Sequence, residues 1–159
     1  NEEKFKKLIT NNKFLEYAKV FNNFYGSSED VVFNKLEKGQ NVIFDIDWQG
    51  TEQIRKQKLN YKLISFFILP PSIKTLQERL LNRNKDDDKT VNLRMKEARS
   101  EISHWSEYDY ILVNDNFEKV KKNIIKIIEI EKIKRNRHSI LPDFISTLNT
   151  EFDDFINNT

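Results

Sequence analysis

Leu63-Ile64-Ser65-Phe66-Phe67-Ile68-Leu69, closed at once by Pro70-Pro71, is the stretch on which the fold turns. A strand with one wet face alternates polar and apolar residues. A run that is apolar throughout, apart from Ser65, requires cover on both faces, as in a parallel sheet between helices. Two similar runs flank it, Asn41-Val42-Ile43-Phe44-Asp45-Ile46 before and Tyr110-Ile111-Leu112-Val113 after. Between them lie helical patterns. Gly50 to Lys58 reads as a polar helix, Ser72 caps a helix through about Leu81, and Thr90 to Trp105 is helical. Phe117, Val120, Ile124, Ile127 and Ile128 place an apolar stripe on a long helix ending near Arg137. Strands alternating with helices predict an α/β fold with a parallel sheet, its strands including 41–46, 63–69 and 110–113.

Toward the N-terminus, Phe5, Leu8 and Ile9 have helical spacing. Residues 14–25 are aromatic and interrupted by Asn22-Asn23, which predicts strands and a turn. Glu29 to Lys38 reads as a helix stopped by Gly39. Beyond the central runs, Asn82 to Lys89, with Asp86-Asp87-Asp88, reads as a mobile polar loop. Pro142 opens a short helix with Phe144, Ile145 and Leu148, and a polar, frayed end follows. There is no repeat and no long linker, and 159 residues are enough for one domain with a core.

Composition narrows the function. A net charge of +2 makes no case for a nucleic-acid or membrane surface. The absence of cysteine excludes a disulfide framework and thiolate metal sites. His104 and His138 stand far apart and outside any ligand motif, so packing is the expected role of each and no protein-built metal site is expected. No apolar run approaches membrane-spanning length and the first residues do not resemble a signal peptide, so a cytoplasmic protein is expected.

In such sheets ligands bind beyond the carboxyl ends of the strands, and three segments fall there. Asp45-Ile46-Asp47-Trp48-Gln49-Gly50 carries two carboxylates that could meet Mg²⁺ through water or anchor a ribose or an arginine; spacing alone favours a helix start stabilised by acidic groups. Arg79, Arg83 and Arg94 flank the polar loop as lid arginines would; spacing alone favours a solvated surface. Asn114 or Asp115, after the last strand, would cap the long helix whatever the function. The phosphate loop G-x-x-x-x-G-K-[ST] is absent. The only glycines, Gly26, Gly39 and Gly50, precede Ser27, Gln40 and Thr51, so no Gly-Lys pair exists.

The order of the segments is more informative than any one of them. Lys13-Phe14-Leu15-Glu16-Tyr17-Ala18 with Asn23-Phe24-Tyr25-Gly26-Ser27 resembles the GMP-binding segment of guanylate kinases. Asp45-Ile46-Asp47-Trp48-Gln49-Gly50, Ile68-Leu69-Pro70-Pro71-Ser72 and Arg79-Leu80-Leu81-Asn82-Arg83 follow. Then come Arg94, Ala98 and Glu101, then Tyr108-Asp109-Tyr110 and Val113-Asn114-Asp115, all in family order from about Phe5 to about Arg137. The resemblance implies a P-loop kinase-like parallel sheet flanked by helices, in one domain over 1–159. Residues 1–40 would be the GMP-binding lobe, 41–82 and 106–137 the core, 83–105 the lid region and 138–159 a C-terminal helix and tail.

The resemblance also implies roles. Glu16 would read guanine, whose ring N–H and exocyclic amine both donate to a carboxylate. Ser27 would donate to the guanine carbonyl and Tyr25 to the GMP phosphate. Asp47, with Asp45, would lie near GMP and the metal. Arg83 and Arg94 would be catalytic lid residues on the ATP phosphates, and Asn114 would lie near the adenine. The implied reaction is ATP and GMP to ADP and GDP with Mg²⁺.

The chain departs from the family at its start. The first strand, the phosphate loop with its lysine, and a segment with GMP-phosphate arginines precede residues 4–12 in the family and are not in this sequence. The chain starts at Asn1, not Met, so a fragment of a longer active enzyme is expected ahead of a stand-alone remnant, and the 159 residues alone are expected to be inactive. The rival is an interaction module of the guanylate-kinase-like kind, which need not keep nucleotide residues; Glu16, Tyr25, Ser27, Arg83 and Arg94 favour the enzyme. A kinase for another phosphorylated substrate is a third reading, against which Glu16 with Ser27 argues.

Overall fold

The computed structural model describes residues 2–20, 23–84, 88–134 and 140–158. The chain divides into two compact units, Asn1–Leu112 and Val113–Thr159.

The first unit opens with helix α1 (Glu2–Thr10). Phe5, on that helix, stacks on Phe14 with ring centroids 4.6 Å apart and lies 5.3 Å from Phe24. These two rings belong to strands β1 (Phe14–Val20) and β2 (Asn23–Ser28), which pair antiparallel, as the aromatic stretch predicts. Glu16 stands opposite Ser27, Tyr17 opposite Gly26 and Ala18 opposite Tyr25, with an irregularity between Phe14 and Glu16. Helix α2 (Glu29–Glu37) ends where Gly39 takes a φ of 72°, a left-handed conformation that costs glycine little. Gly39 N–H then donates to Leu36 O at 2.9 Å and Gln40 N–H to Lys35 O at 3.0 Å, satisfying carbonyls of the last turn.

Helix α3 (Trp48–Lys56) starts two residues before the expected Gly50, because Asp47 caps it. Strand β3 (Phe66–Leu69) and strand β4 (Tyr110–Val113) pair in parallel. Their starts are tied together. Tyr110 N–H donates to Ser65 O at 3.0 Å, and Ser65 gives its N–H and its hydroxyl to Asp109 Oδ2 at 2.8 and 2.7 Å. Because Ser65 uses its N–H on a carboxylate, the regular strand begins at Phe66 and not at Leu63. Helix α4 (Ile73–Asn84) is capped by Ser72, whose Oγ accepts from Thr75 N–H at 3.0 Å, and helix α5 (Asp88–Ser103) follows. Among the described residues, Leu15, Val32, Ile54, Phe67 and Val91 are the buried apolar residues of this unit.

Two sequence expectations are corrected here. Asn41–Ile46 is not a strand. It is irregular backbone in which exposure alternates residue by residue and Ile43 is 89% exposed. Its apolar residues favour extension, but a strand is made by a neighbour's hydrogen bonds, and among the described residues none pairs with it. The polar loop over Asn82 to Lys89 is also shorter than expected. α4 continues through Asn84 and α5 begins at Asp88, since polarity does not separate a loop from a solvent-facing helix. Lys85, Asp86 and Asp87 lie outside the described residues, and so does that part of the expected mobile lid.

In the second unit, helix α6 (Phe117–Ile133) follows β4, and helix α7 (Leu141–Asn157) ends the chain. α6 is capped by Asn116, whose Oδ1 accepts from Lys119 N–H at 2.9 Å, one or two residues after the expected Asn114 or Asp115. Val120 is buried in α6, and Glu131 is buried and paired with Lys134. The expected helix end near Arg137 and His138 lie outside the described residues. α7 is not short: it is helical through Asn157, across the polar residues expected to fray. Leu141, Ile145, Leu148, Phe152 and Phe155 recur at spacings of four and three, which carries the helix through the polar residues between them.

Candidate active site

The β1–β2 pair places Glu16 and Ser27 directly opposite one another. Cross-strand partners share a face, so the two side chains meet. Ser27 Oγ donates to Glu16 Oε1 at 2.6 Å, and Glu16 is only 3% exposed. A carboxylate so buried needs donors around it. Tyr25, two residues from Ser27 along β2, is on the same face and 57% exposed.

Helix α3 closes the other side of Glu16. A Cβ on Gly50 would stand 2.9 Å from Glu16 Oε2 and 3.3 Å from Ile46 Cβ, so glycine alone admits the carboxylate there. Asp47 Oδ1 accepts from Gly50 N–H at 2.8 Å, and the Asp47 carbonyl accepts from the Thr51 N–H and hydroxyl, each at 3.0 Å. The structure therefore joins Glu16, Ser27, Gly50 and Asp47 in one contiguous cluster. It also realises the plain reading of Asp47 as a helix cap. Asp45 is exposed in the irregular segment before it.

The N-terminus of α3 meets the C-terminal end of α5. Trp48 and His104 stack with centroids 3.7 Å apart and planes 8° from parallel, and His104 Nδ1 lies 2.6 Å from Glu107 Oε1. His104 thus packs, as expected. Burial foremost, and then the nearby Asp47 charge, push the Glu101 carboxyl above its usual value, against the pull of the Trp48 N–H it accepts. Burial also raises the Tyr108 phenol, whose hydroxyl donates to Thr51 Oγ1 at 3.3 Å. Arg55 donates to Ser65 Oγ at 2.8 Å and lies 5.3 Å from the Tyr108 ring centroid, anchoring α3 to the start of β3.

Of the remaining expected residues, Arg94 is half-buried on α5. Arg83 has its backbone in α4, and its side chain lies outside the described residues. Asn114 is half-buried after β4, in the second unit. Sequence reasoning gave no role to Gln53 and Gln57. Gln53 Oε1 accepts from Tyr17 N–H at 3.0 Å and its Nε2 donates to Tyr17 O at 2.9 Å, while Gln57 Nε2 donates to Leu15 O at 2.6 Å. The available signal was the recurrence of glutamine every four residues, Gln49, Gln53 and Gln57, on one face of the helix.

Comparison with known proteins gives the family and the fold. The family model described as guanylate kinase matches residues 1–131. The chain is 48% identical to the guanylate kinase of Rickettsia prowazekii, over 84% of this chain and 67% of the relative. It is 43% identical to that of Jannaschia sp., over 96% of this chain and 70% of the relative. The crystal structure of guanylate kinase from Anaplasma phagocytophilum superposes with a TM-score of 0.76 at 31% identity, covering 92% of this chain and 71% of that one. By family match, sequence identity and fold together, the chain belongs to the guanylate kinase family.

Proposed function

We infer that the protein transfers the γ-phosphoryl group of ATP to the phosphate of GMP, giving ADP and GDP. The observation that carries this reading is the buried Glu16, held between Ser27 and Gly50. Guanine presents a ring N–H and an exocyclic amine on one edge; a carboxylate accepts from both, and the Ser27 hydroxyl, which donates to Glu16 here, would turn to donate to the guanine carbonyl. Tyr25 on the same face would donate to the GMP phosphate. Arg83 and Arg94 would offset charge on the ATP phosphates in the transition state, and Asn114 is read separately as an adenine contact. In the transfer, the bond from the γ-phosphorus to the ADP oxygen breaks as one to a GMP phosphate oxygen forms in line. The 159 residues hold no Gly-Lys pair, so the reading assigns the phosphate cradle to none of them.

Among the described residues no three His, Cys, Asp or Glu side chains converge as a metal cage. A Mg²⁺ carried by nucleotide phosphates needs no cage, since it keeps several waters and one or two protein carboxylates. Asp45 and Asp47 at the start of α3 fit that demand. Such an ion would neutralise charge developing between the β- and γ-phosphates. No described helix is long and apolar enough to cross a membrane. A cytoplasmic protein acting on free nucleotides, without nucleic acid or membrane, completes the proposal.

Calorimetric titration with GMP, IMP and AMP tests it. GMP should bind in preference to both competitors, and Glu16→Gln should weaken GMP by about tenfold to several-hundredfold, because an amide sets a donor against a guanine donor. Glu16→Gln with unchanged GMP affinity would remove Glu16 from the site, and no GMP binding at all would favour the interaction-module reading.

A further inference from the structure

β1 and β2 form a two-stranded sheet, and a lone pair of strands is marginal in water. One edge of β1 faces β2, and the other would be left with bare peptide groups. α3 covers that edge with side chains. Gln53 offers Tyr17 both an acceptor and a donor, at 3.0 and 2.9 Å, as the peptide group of a neighbouring strand would. Gln57 completes the edge by donating to Leu15 O at 2.6 Å. The spacing matches: four helical residues rise about 6 Å, close to the roughly 6.8 Å between strand residues two apart. Glutamines one turn apart therefore address two successive peptide groups on the same edge.

Glu16 lies between the two clamped residues. Its neighbours on each side are bonded to α3, and α3 also brings Gly50 against its carboxylate. The clamp and the carboxylate contact thus come from α3 and its C-cap residue Gln57, with Gly50, Gln53 and Gln57 spaced three and four apart along one face. We propose that Gln53 and Gln57 are positioning residues that set where the Glu16 carboxylate stands, and through it the discrimination of guanine from hypoxanthine. The inference rests on the reading of Glu16 as the guanine contact.

Hypoxanthine lacks the exocyclic amine, so the GMP-to-IMP affinity ratio reports the second of the two hydrogen bonds that Glu16 accepts. A shift of β1 against α3 would misplace that bond before it disturbed the phosphate contacts. The experiment is calorimetric titration of the full chain with GMP and IMP, for wild type, Gln53→Met, Gln53→Glu, Glu16→Gln and the Gln53→Met/Glu16→Gln pair, with melting temperatures alongside. Methionine keeps the shape of glutamine and loses both bonds. Gln53→Met should lower the GMP-to-IMP ratio by about five- to tenfold, the loss expected when a hydrogen bond is misplaced. Gln53→Glu keeps the acceptor for Tyr17 N–H and should retain part of the ratio. In the Glu16→Gln background Gln53→Met should change the ratio no further, because the contact it positions is already gone.

Equal loss of GMP and IMP affinity in Gln53→Met, or additive losses in the pair, would overturn the positioning role and leave only a structural one. An unchanged ratio in Gln53→Met at native melting temperature would overturn it as well. An unchanged ratio in Glu16→Gln would instead sink the guanine reading, so the two failures are distinguishable.

Discussion

At Gly50 one missing Cβ separates two demands. An alanine there would gain up to about 1 kcal/mol of helix propensity. Its Cβ would also stand 2.9 Å from Glu16 Oε2 and 3.3 Å from Ile46. Overpacking of that sort costs about 1–3 kcal/mol, and the carboxylate tip gives way more easily than the Ile46 Cβ does. The expected outcome for Gly50→Ala is a net stability loss within about 2 kcal/mol, with GMP affinity reduced about tenfold or more as Glu16 leaves its position. Calorimetry beside a thermal melt checks it; native GMP affinity in a well-folded variant would show that Glu16 tolerates displacement. Glu101 makes a second residue-scale prediction. Its carboxyl is raised above the ordinary 4.5 by burial and by Asp47. A raised acid favours the folded state in full below its unfolded value, and that contribution is lost as pH rises through the folded value. Glu101→Gln keeps an acceptor for Trp48 N–H and carries no charge, so it should melt higher than wild type at pH 7. The gain should shrink as pH falls and vanish below 4.5. A gain independent of pH would assign the effect to packing.

Among the elements, α3 carries the most consequence, and its cap tests two readings of one residue. Asp47 Oδ1 holds Gly50 N–H, so Asp47→Ala should cost about 1 kcal/mol of stability, while Asp47→Asn, an equally good cap, should cost little. If Asp47 also serves a nucleotide-borne Mg²⁺, both variants lose the charge and both weaken Mg²⁺-dependent nucleotide binding. Retained binding in Asp47→Asn would confine Asp47 to capping. The same helix shows how much the sequence made legible. The cap, the apolar strands at Phe66 and Tyr110, the aromatic hairpin and the Gly39 stop each follow from local chemistry, and the structure has them. The Glu16 and Ser27 pairing was legible only through family order, because cross-strand partners eleven residues apart leave no local periodicity. Asn41–Ile46 was misread because apolar composition specifies extension but not a partner. The Gln53 clamp was not legible because a glutamine on a helix is ordinarily solvated, and the edge it covers lies thirty-six residues away in sequence.

The whole chain poses the question of what these 159 residues do together without a Gly-Lys pair. Phosphates of a transferring nucleotide are held by a nest of backbone N–H groups and a lysine, and arginines on flexible stems do not supply that preorganised concavity. The residues proposed to read guanine lie within the first unit, on β1, β2 and α3. Binding and turnover should therefore separate. The 159-residue chain is expected to bind GMP and to show no GMP-dependent ADP release at ordinary kinase rates of about 1–100 per second. Joining a strand, a Gly-x-x-x-x-Gly-Lys-Ser loop and a segment with GMP-phosphate arginines ahead of Asn1 should give transfer. The same addition is expected to give Asn41–Ile46 a neighbouring strand, which its alternating exposure and the 89% exposed Ile43 would suit. Amides from Val42 to Ile46 should then gain protection from hydrogen exchange, while those of β1 and β2, already paired, change little. A coupled assay and exchange on the two chains read both effects. Ordinary turnover by the 159 residues would show that another group cradles the phosphates. Restored turnover without protection at 42–46 would place the added strand elsewhere and leave that segment's exposure unexplained.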